Sequence, residues 1–144
     1  MSIYPHLSLL MDAISKGLNL VYPVQAYANI EQVTIQGTPS VFLIPEDLSV
    51  LQVIPDVRKI KTFRMKQEWL ILTVLRDAGD QKVTEPLITA LGLYQAKILN
   101  ILMNDVVVTG GPLQLIDCPK AESIEGGAIA GKIRIATQFV FNAE

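Results

Sequence analysis

The stretch Gln67-Glu68-Trp69-Leu70-Ile71-Leu72-Thr73-Val74-Leu75-Arg76 decides the fold class. Side chains alternate across a β-strand, so Trp69, Ile71, Thr73 and Leu75 share one face and Leu70, Leu72 and Val74 the other. Both faces are apolar, which is the pattern of a strand covered on both sides. Helices are expected to supply one cover, and a second sheet layer or a neighbouring subunit the other.

Working upstream, Lys59 to Met65 alternates basic and apolar residues in part and extends the β signal. Ser40 to Ile44 reads as a short apolar strand closed by Pro45, with Glu46 to Asp56 as a surface excursion between Pro45 and Pro55. Leu18 to Pro39 carries Pro23, Gly37 and Pro39 and reads as a long, partly extended connection, with a short strand at Gln32 to Gln36. Before it, Leu7, Leu10, Met11, Ile14 and Leu18 recur at spacings of three and four, which predicts a helix over Pro5 to Lys16 stopped by Gly17.

Downstream, Asp77-Ala78-Gly79-Asp80 is turn chemistry and Thr84 stands as an N-cap before Glu85 and Pro86. Val83, Leu87, Leu91, Tyr94, Ile98 and Leu102 then form one stripe of a helix of about five turns ending at Met103. Gly92 in its middle marks a close helix-to-sheet contact or a kink. Val106 to Thr109 and Leu113 to Ile116 read as short strands around Gly110-Gly111-Pro112, and Asp117 to Gly127 as a polar loop. The last strand is the clearest. Ile129, Ile133, Ile135, Phe139 and Phe141 share one face and Lys132, Arg134 and Gln138 the other.

The expected fold class is therefore α+β: a mixed or antiparallel sheet packed by an N-terminal helix and one long central helix, in a single domain over residues 1–144. The length supports this, because a domain of about 150 residues buries roughly 68–70% of its unfolded surface. Half of the 144 residues are hydrophobic and 18% are charged. That balance fits either a well-filled core or apolar surface placed between subunits. No uninterrupted apolar run approaches the roughly 20 residues of a membrane span, and the N-terminus lacks the basic and apolar regions of a secretory signal. A cytoplasmic setting with no membrane partner is expected. The net charge of −2 gives no global attraction to nucleic acid.

Catalysis at neutral pH usually draws on histidine, an activated cysteine, paired carboxylates or a metal, and the chain has one histidine and one cysteine. His6 beside Pro5 reads as an exposed or capping residue, and Cys118 has no spaced partner for zinc. Gly126-Gly127-Ala128-Ile129-Ala130-Gly131 lies between a loop and a strand, which is the wrong context for a phosphate loop and the right one for a bulge. Glu46, Asp47 and Asp56 have neither calcium-loop nor paired-carboxylate spacing and read as loop acids. The expectation is a non-enzyme with no catalytic, cofactor or metal residues.

One cluster stands out. Arg58, Lys59, Lys61, Arg64 and Lys66 place five cations within nine positions that hold no acid. Three readings fit: an arm presenting cations to an acidic neighbour, an edge strand whose lysines discourage unwanted pairing, and a nucleic-acid patch with Phe63 as its one interleaved aromatic. On the first reading, Arg58, Lys59, Lys61, Arg64, Lys66, Glu46 and Asp47 are the candidate protein-interaction residues.

The order of elements resembles the tail terminator (tail completion) proteins of tailed bacteriophages, including the lambda-type terminators. It runs from an amphipathic helix, a long connection and the Ser40–Ile44 strand to a protruding basic segment, the Trp69 strand, a long helix and a long final strand. The resemblance covers most of the chain and rests on element order and size, with no diagnostic motif. It implies a structural virion protein at the tail–neck junction, assembled in the host cytoplasm as a ring of six. Such a ring ends tail polymerisation and joins tail to head. Its implied partners are further copies of the chain, the tail tube protein and a neck or head-completion protein, with DNA passing through the lumen without specific binding. Another neck or tail tube component has the same mix of elements. A nucleic-acid-binding module using residues 58–66 is the reading from a different class.

Overall fold

The computed structural model describes residues 4–35, 37, 39–55, 61–76, 85–104, 106, 113–117, 121–124 and 128–143. Helix α1 spans Leu7–Gly17 and buries Leu10 and Ile14 completely. Its stop is not Gly17. Asn19 takes a left-handed conformation (φ 52°), its N–H donates to the Lys16 carbonyl and the Leu20 N–H donates to Ser15. That pair of bonds is the Schellman arrangement, in which asparagine substitutes for the more usual glycine.

Gly17 serves packing instead. A Cβ placed there would lie 2.7 Å from Ile101 Cγ1 and closer still to Cδ1, and Ile101 is itself buried. Gly17→Val is therefore expected to push α1 off its neighbour and cost about 1–3 kcal/mol, read as a lower urea midpoint with an unchanged denaturant slope.

The connection after α1 holds strand β1 (Gln25–Ala26) and a 3₁₀ turn at Ile30–Gln32. No strand forms over 32–35, and Gln36 lies outside the described residues. Strand β2 then runs unbroken over Ser40–Ile54, so the stretch from Glu46 is not a loop excursion. Pro45 is tolerated because its outer neighbour β1 pairs only as far as Phe42 and Leu43, leaving no ladder bond to lose there, and the register shifts between Pro45 and Leu48. Strand β3 spans Lys61–Arg76 as one element. Helix α2 follows over Glu85–Asn104; the predicted turn at 77–80 and the Thr84 cap lie outside the described residues. Strands β4 (Gln114–Asp117), β5 (Glu122–Ile124) and β6 (Ala128–Ala143) complete the chain. The segment read as a polar loop from Asp117 thus contains a strand, β5, paired with β6.

Among the described residues, six strands form one sheet in the order β1-β2-β3-β6-β4, with β5 also on β6. β1 is parallel to β2 and every other pair is antiparallel, so the fold is α+β with a mixed sheet under two helices. On the helix face, Trp69, Ile71, Ile133, Ile135, Val41 and Leu43 pack against Leu10, Ile14, Ile98 and Leu102. Leu91 closes the base of the sheet on Leu75 and Ile129. The opposite face needs no second sheet at its base: Phe42, Leu72, Val74, Ala128 and Ala130 are covered by Tyr27, Val33 and Ile35 of the chain's own connection. Gly92 faces outward with open space where a Cβ would stand, whereas Gly131 passes directly beneath Leu91 and Gln95.

His6 corrects a sequence expectation. It is buried, makes no side-chain cap bond, and meets the Phe139 ring edge-on at 5.9 Å. Its Nδ1 has no hydrogen-bond partner among the described residues, and burial lowers its pKa below the ordinary 6.5. The folded state therefore prefers the neutral ring. The stability this contributes is complete above pH 6.5 and is lost as the pH falls through the lowered folded value. Accordingly, His6→Leu is expected to flatten the loss of stability below pH 6.5, measured as the difference in urea midpoints between wild type and variant at pH 7.5 and 5.5.

A protruding arm as the candidate interaction site

Three strands continue past the helices. β2 and β6 run outward and β3 returns between them, paired with β2 from Ser40↔Val74 out to Ile54↔Thr62 across two bulges and with β6 without a break from Arg76↔Ala128 out to Lys61↔Ala143. The helix layer, among the described residues, reaches Phe139 through His6 and Trp69 through Tyr4. Four further rows of β3 and β6 extend roughly 13 Å beyond that point at the usual rise per residue.

Strand alternation gives this arm two unlike faces. Continuing the helix face outward, Met65 pairs with Phe139 and Val50, and Phe63 with Phe141 and Val53. Val50 and Val53 are 53% and 54% exposed, so the outer end of this face is apolar and bare. On the second face Arg64 pairs with Val140 and Gln52, and Lys66 with Gln138 and Ser49, while the Thr62 hydroxyl donates to Asn142 Oδ1 at 2.8 Å. Neither Arg64 nor Lys66 has an ion-pair partner among the described residues.

At the root of the arm the β2 bulge leaves the carbonyls of Glu46 and Asp47 off the ladder. Gln67, 1% exposed, lies behind them, its Nε2 3.1 Å from the Glu46 carbonyl, 3.4 Å from that of Asp47 and 2.6 Å from that of Glu68. A buried amide thus supplies donors where the bulge removes them. Deeper still, the Trp69 indole N–H donates to Thr137 Oγ1 at 2.9 Å, tying β3 to β6 where the arm meets the core.

The residues expected to mediate interaction fall as follows. Arg58 and Lys59 lie outside the described residues, and Lys61 opens β3 opposite Ala143. Arg64 and Lys66 share the second face of the arm. Glu46 and Asp47 stand at the bulge, and Glu46 is not a loop acid: Arg134 Nε donates to its Oε1 at 3.0 Å, and Arg134 Nη1 lies 3.7 Å from Asp117 Oδ2. Lys132 pairs with Glu122 at 3.0 Å. These pairs are partly exposed, so each contributes at most about 1 kcal/mol. Of these residues Glu46, Lys132 and Arg134 line a cleft of about 390 Å³ between the sheet and the connection, with Ile30, Pro45 and Asp47 also on its wall.

Sequence reading passed over Arg134, Lys132, Asp117 and Glu122 as a network, because β4 and β5 carry little periodicity. It also passed over Val50, Leu51 and Val53. Their β-branched and apolar character was the available signal, hidden by reading Pro45 as a strand end.

A second bare apolar surface lies on α2. Pro86–Asn104 is long and apolar enough by composition to cross a membrane, and 22% of it is buried. A reading by uninterrupted apolar runs misses this helix. Its inner stripe packs on the sheet and α1, while Ile88, Leu93 and Met103 are at least half exposed. Among the described residues, no three His, Cys, Asp or Glu side chains gather as a metal site. Neither protein-family models nor curated protein sequences give a match to this chain.

Proposed function

We propose that the protein is a structural assembly subunit of the tail terminator type. On this reading it forms a ring on the end of a phage tail tube, stops tube growth and offers the surface to which the neck joins. The single observation that carries the reading is the arm: a three-stranded projection with exposed valines on one face and, on the other, cations that have no ion-pair partner among the described residues. Apolar area of that kind is stable in water when a neighbour covers it. The outer face of α2 supplies a second, unlike surface, and two unlike contact surfaces on one chain are what a head-to-tail ring requires.

The arm argues for a protein neighbour over nucleic acid. Stacking platforms place aromatics and cations on one surface, whereas here Phe63 and Phe141 lie opposite Arg64 and Lys66. On this reading DNA passes through the lumen without being gripped. The experiment is co-sedimentation with purified tail tubes: a terminator binds one end of each tube, and protein added during tube polymerisation shortens the tubes. Tubes of unchanged length, with no protein on their ends, would reject the reading.

A further inference from the structure

The charges of this chain are segregated. Residues 58–66 hold five cations and no acid, while the other seven cations and all fourteen acids lie elsewhere, so the segment carries +5 and the remainder −7. The structure adds where the charges sit. On the second face of the sheet, Arg64 and Lys66 occupy the arm. Toward the base the same face carries Glu68 by register, Glu46 and Asp47 at the cleft, and Glu31 on the 3₁₀ turn beside Ile30 of the cleft wall.

Within this face the cations and acids are unequally matched. Glu46 and Asp117 share Arg134, and Glu122 holds Lys132. Glu31, Asp47 and Glu68 have no ion-pair partner among the described residues, and neither do Arg64 and Lys66. One molecule thus presents a cationic projection and, around a cleft whose lining sets Glu46 and Asp47 against Lys132 and Arg134, three acids, Glu31, Asp47 and Glu68, that no cation of the described residues pairs.

We propose that Arg64 and Lys66 on the arm of one copy dock beside the cleft of a second copy, on its unpaired acids Glu31, Asp47 and Glu68. Charge complementarity names the occupant: a cationic surface and an acidic one, each short of partners, on the same chain. The exposed apolar side chains that flank the cations, Val140 beside Arg64 and Leu51 at the bulge of β2, gain a cover in the same contact. Complementary charge of this sort fixes register and orientation more than raw affinity, which suits a subunit that must join its neighbours in one way. The inference rests on the reading of the chain as a self-assembling subunit and names the surfaces by which copies meet.

The test uses two full-length variants, arm-reversed Arg64→Glu/Lys66→Glu and cleft-reversed Glu31→Lys/Asp47→Lys, with mass followed against concentration by light scattering. Each variant alone is expected to raise the concentration at the association midpoint at least tenfold. An equimolar mixture is expected to restore the wild-type midpoint, because the reversed arm meets the reversed cleft. Raising salt should weaken the wild type and the mixture alike. If reversal costs the cooperative melt, the neutral pair Arg64→Gln/Lys66→Gln is read instead, with an intermediate shift expected. Wild-type association that survives both reversals, or a mixture no better than its components, overturns the docking and leaves the assembly reading standing. A wild type that stays monomeric at every concentration overturns both.

Discussion

Trp69→Ala is expected to remove about 3–5 kcal/mol of folding stability. The indole is completely buried among Ile71, Ile135, Leu10 and Leu102, so its loss leaves a cavity that four separate elements cannot close together. It also strands the Thr137 hydroxyl, buried and now without the indole donor, adding the cost of a broken buried hydrogen bond. Domains of this size are stable by only about 5–15 kcal/mol, so the variant would stand near the limit of folding. Trp69→Phe keeps a six-membered ring in place, losing the N–H and only part of the volume, and should cost less, about 1–3 kcal/mol. Urea unfolding followed by circular dichroism measures both. Equal costs for the two variants would show that the hydrogen bond, and not the packing, dominates.

Val50→Asp/Val53→Asp should do the reverse, leaving the fold intact and abolishing assembly. Both side chains are more than half exposed, so each substitution costs the folded chain mainly strand propensity, about 1 kcal/mol or less. In an assembled state they would place two carboxylates in an apolar contact. Losing as little as 1.4 kcal/mol there weakens association tenfold, and burying an unpaired charge costs more than that. The comparison is between the urea midpoint and the association midpoint of one preparation. Unchanged association would show that the helix-face side of the arm stays in water.

The two predictions divide along the line that separates what the sequence made legible from what it hid. Period-two alternation from Gln67 to Arg76 and from Ile129 to Phe141 was enough to place the two central strands, their faces and their cover of helices. The stripe Leu87, Leu91, Tyr94, Ile98 and Leu102 likewise placed α2, because burial on one side leaves a periodic trace. Elements without such a trace were misjudged. β2 beyond Pro45 is exposed and polar by turns, so its residues looked like a loop, although on a strand whose outer neighbour stops at Leu43 a proline costs no ladder bond. Asn19 ended α1 where Gly17 was the more usual candidate, because only three-dimensional packing showed that Gly17 was needed against Ile101. β5 and the Arg134 network depend on register between strands far apart in sequence, which local patterns do not encode.

The candidate site was half legible for the same reason. Clustered cations are visible in any sequence, and Arg64 and Lys66 indeed share one face. That Phe63 lies on the other face, that Glu46 belongs to Arg134, and that valines flank the arm all follow from pairing geometry.

Light-scattering-coupled size exclusion of the wild-type chain, run from low to high protein concentration, reads ring formation itself. Association toward a species of about 95 kDa, six times the chain mass of 15.8 kDa, is the expected result. A single peak at 15.8 kDa across the whole range would contradict it.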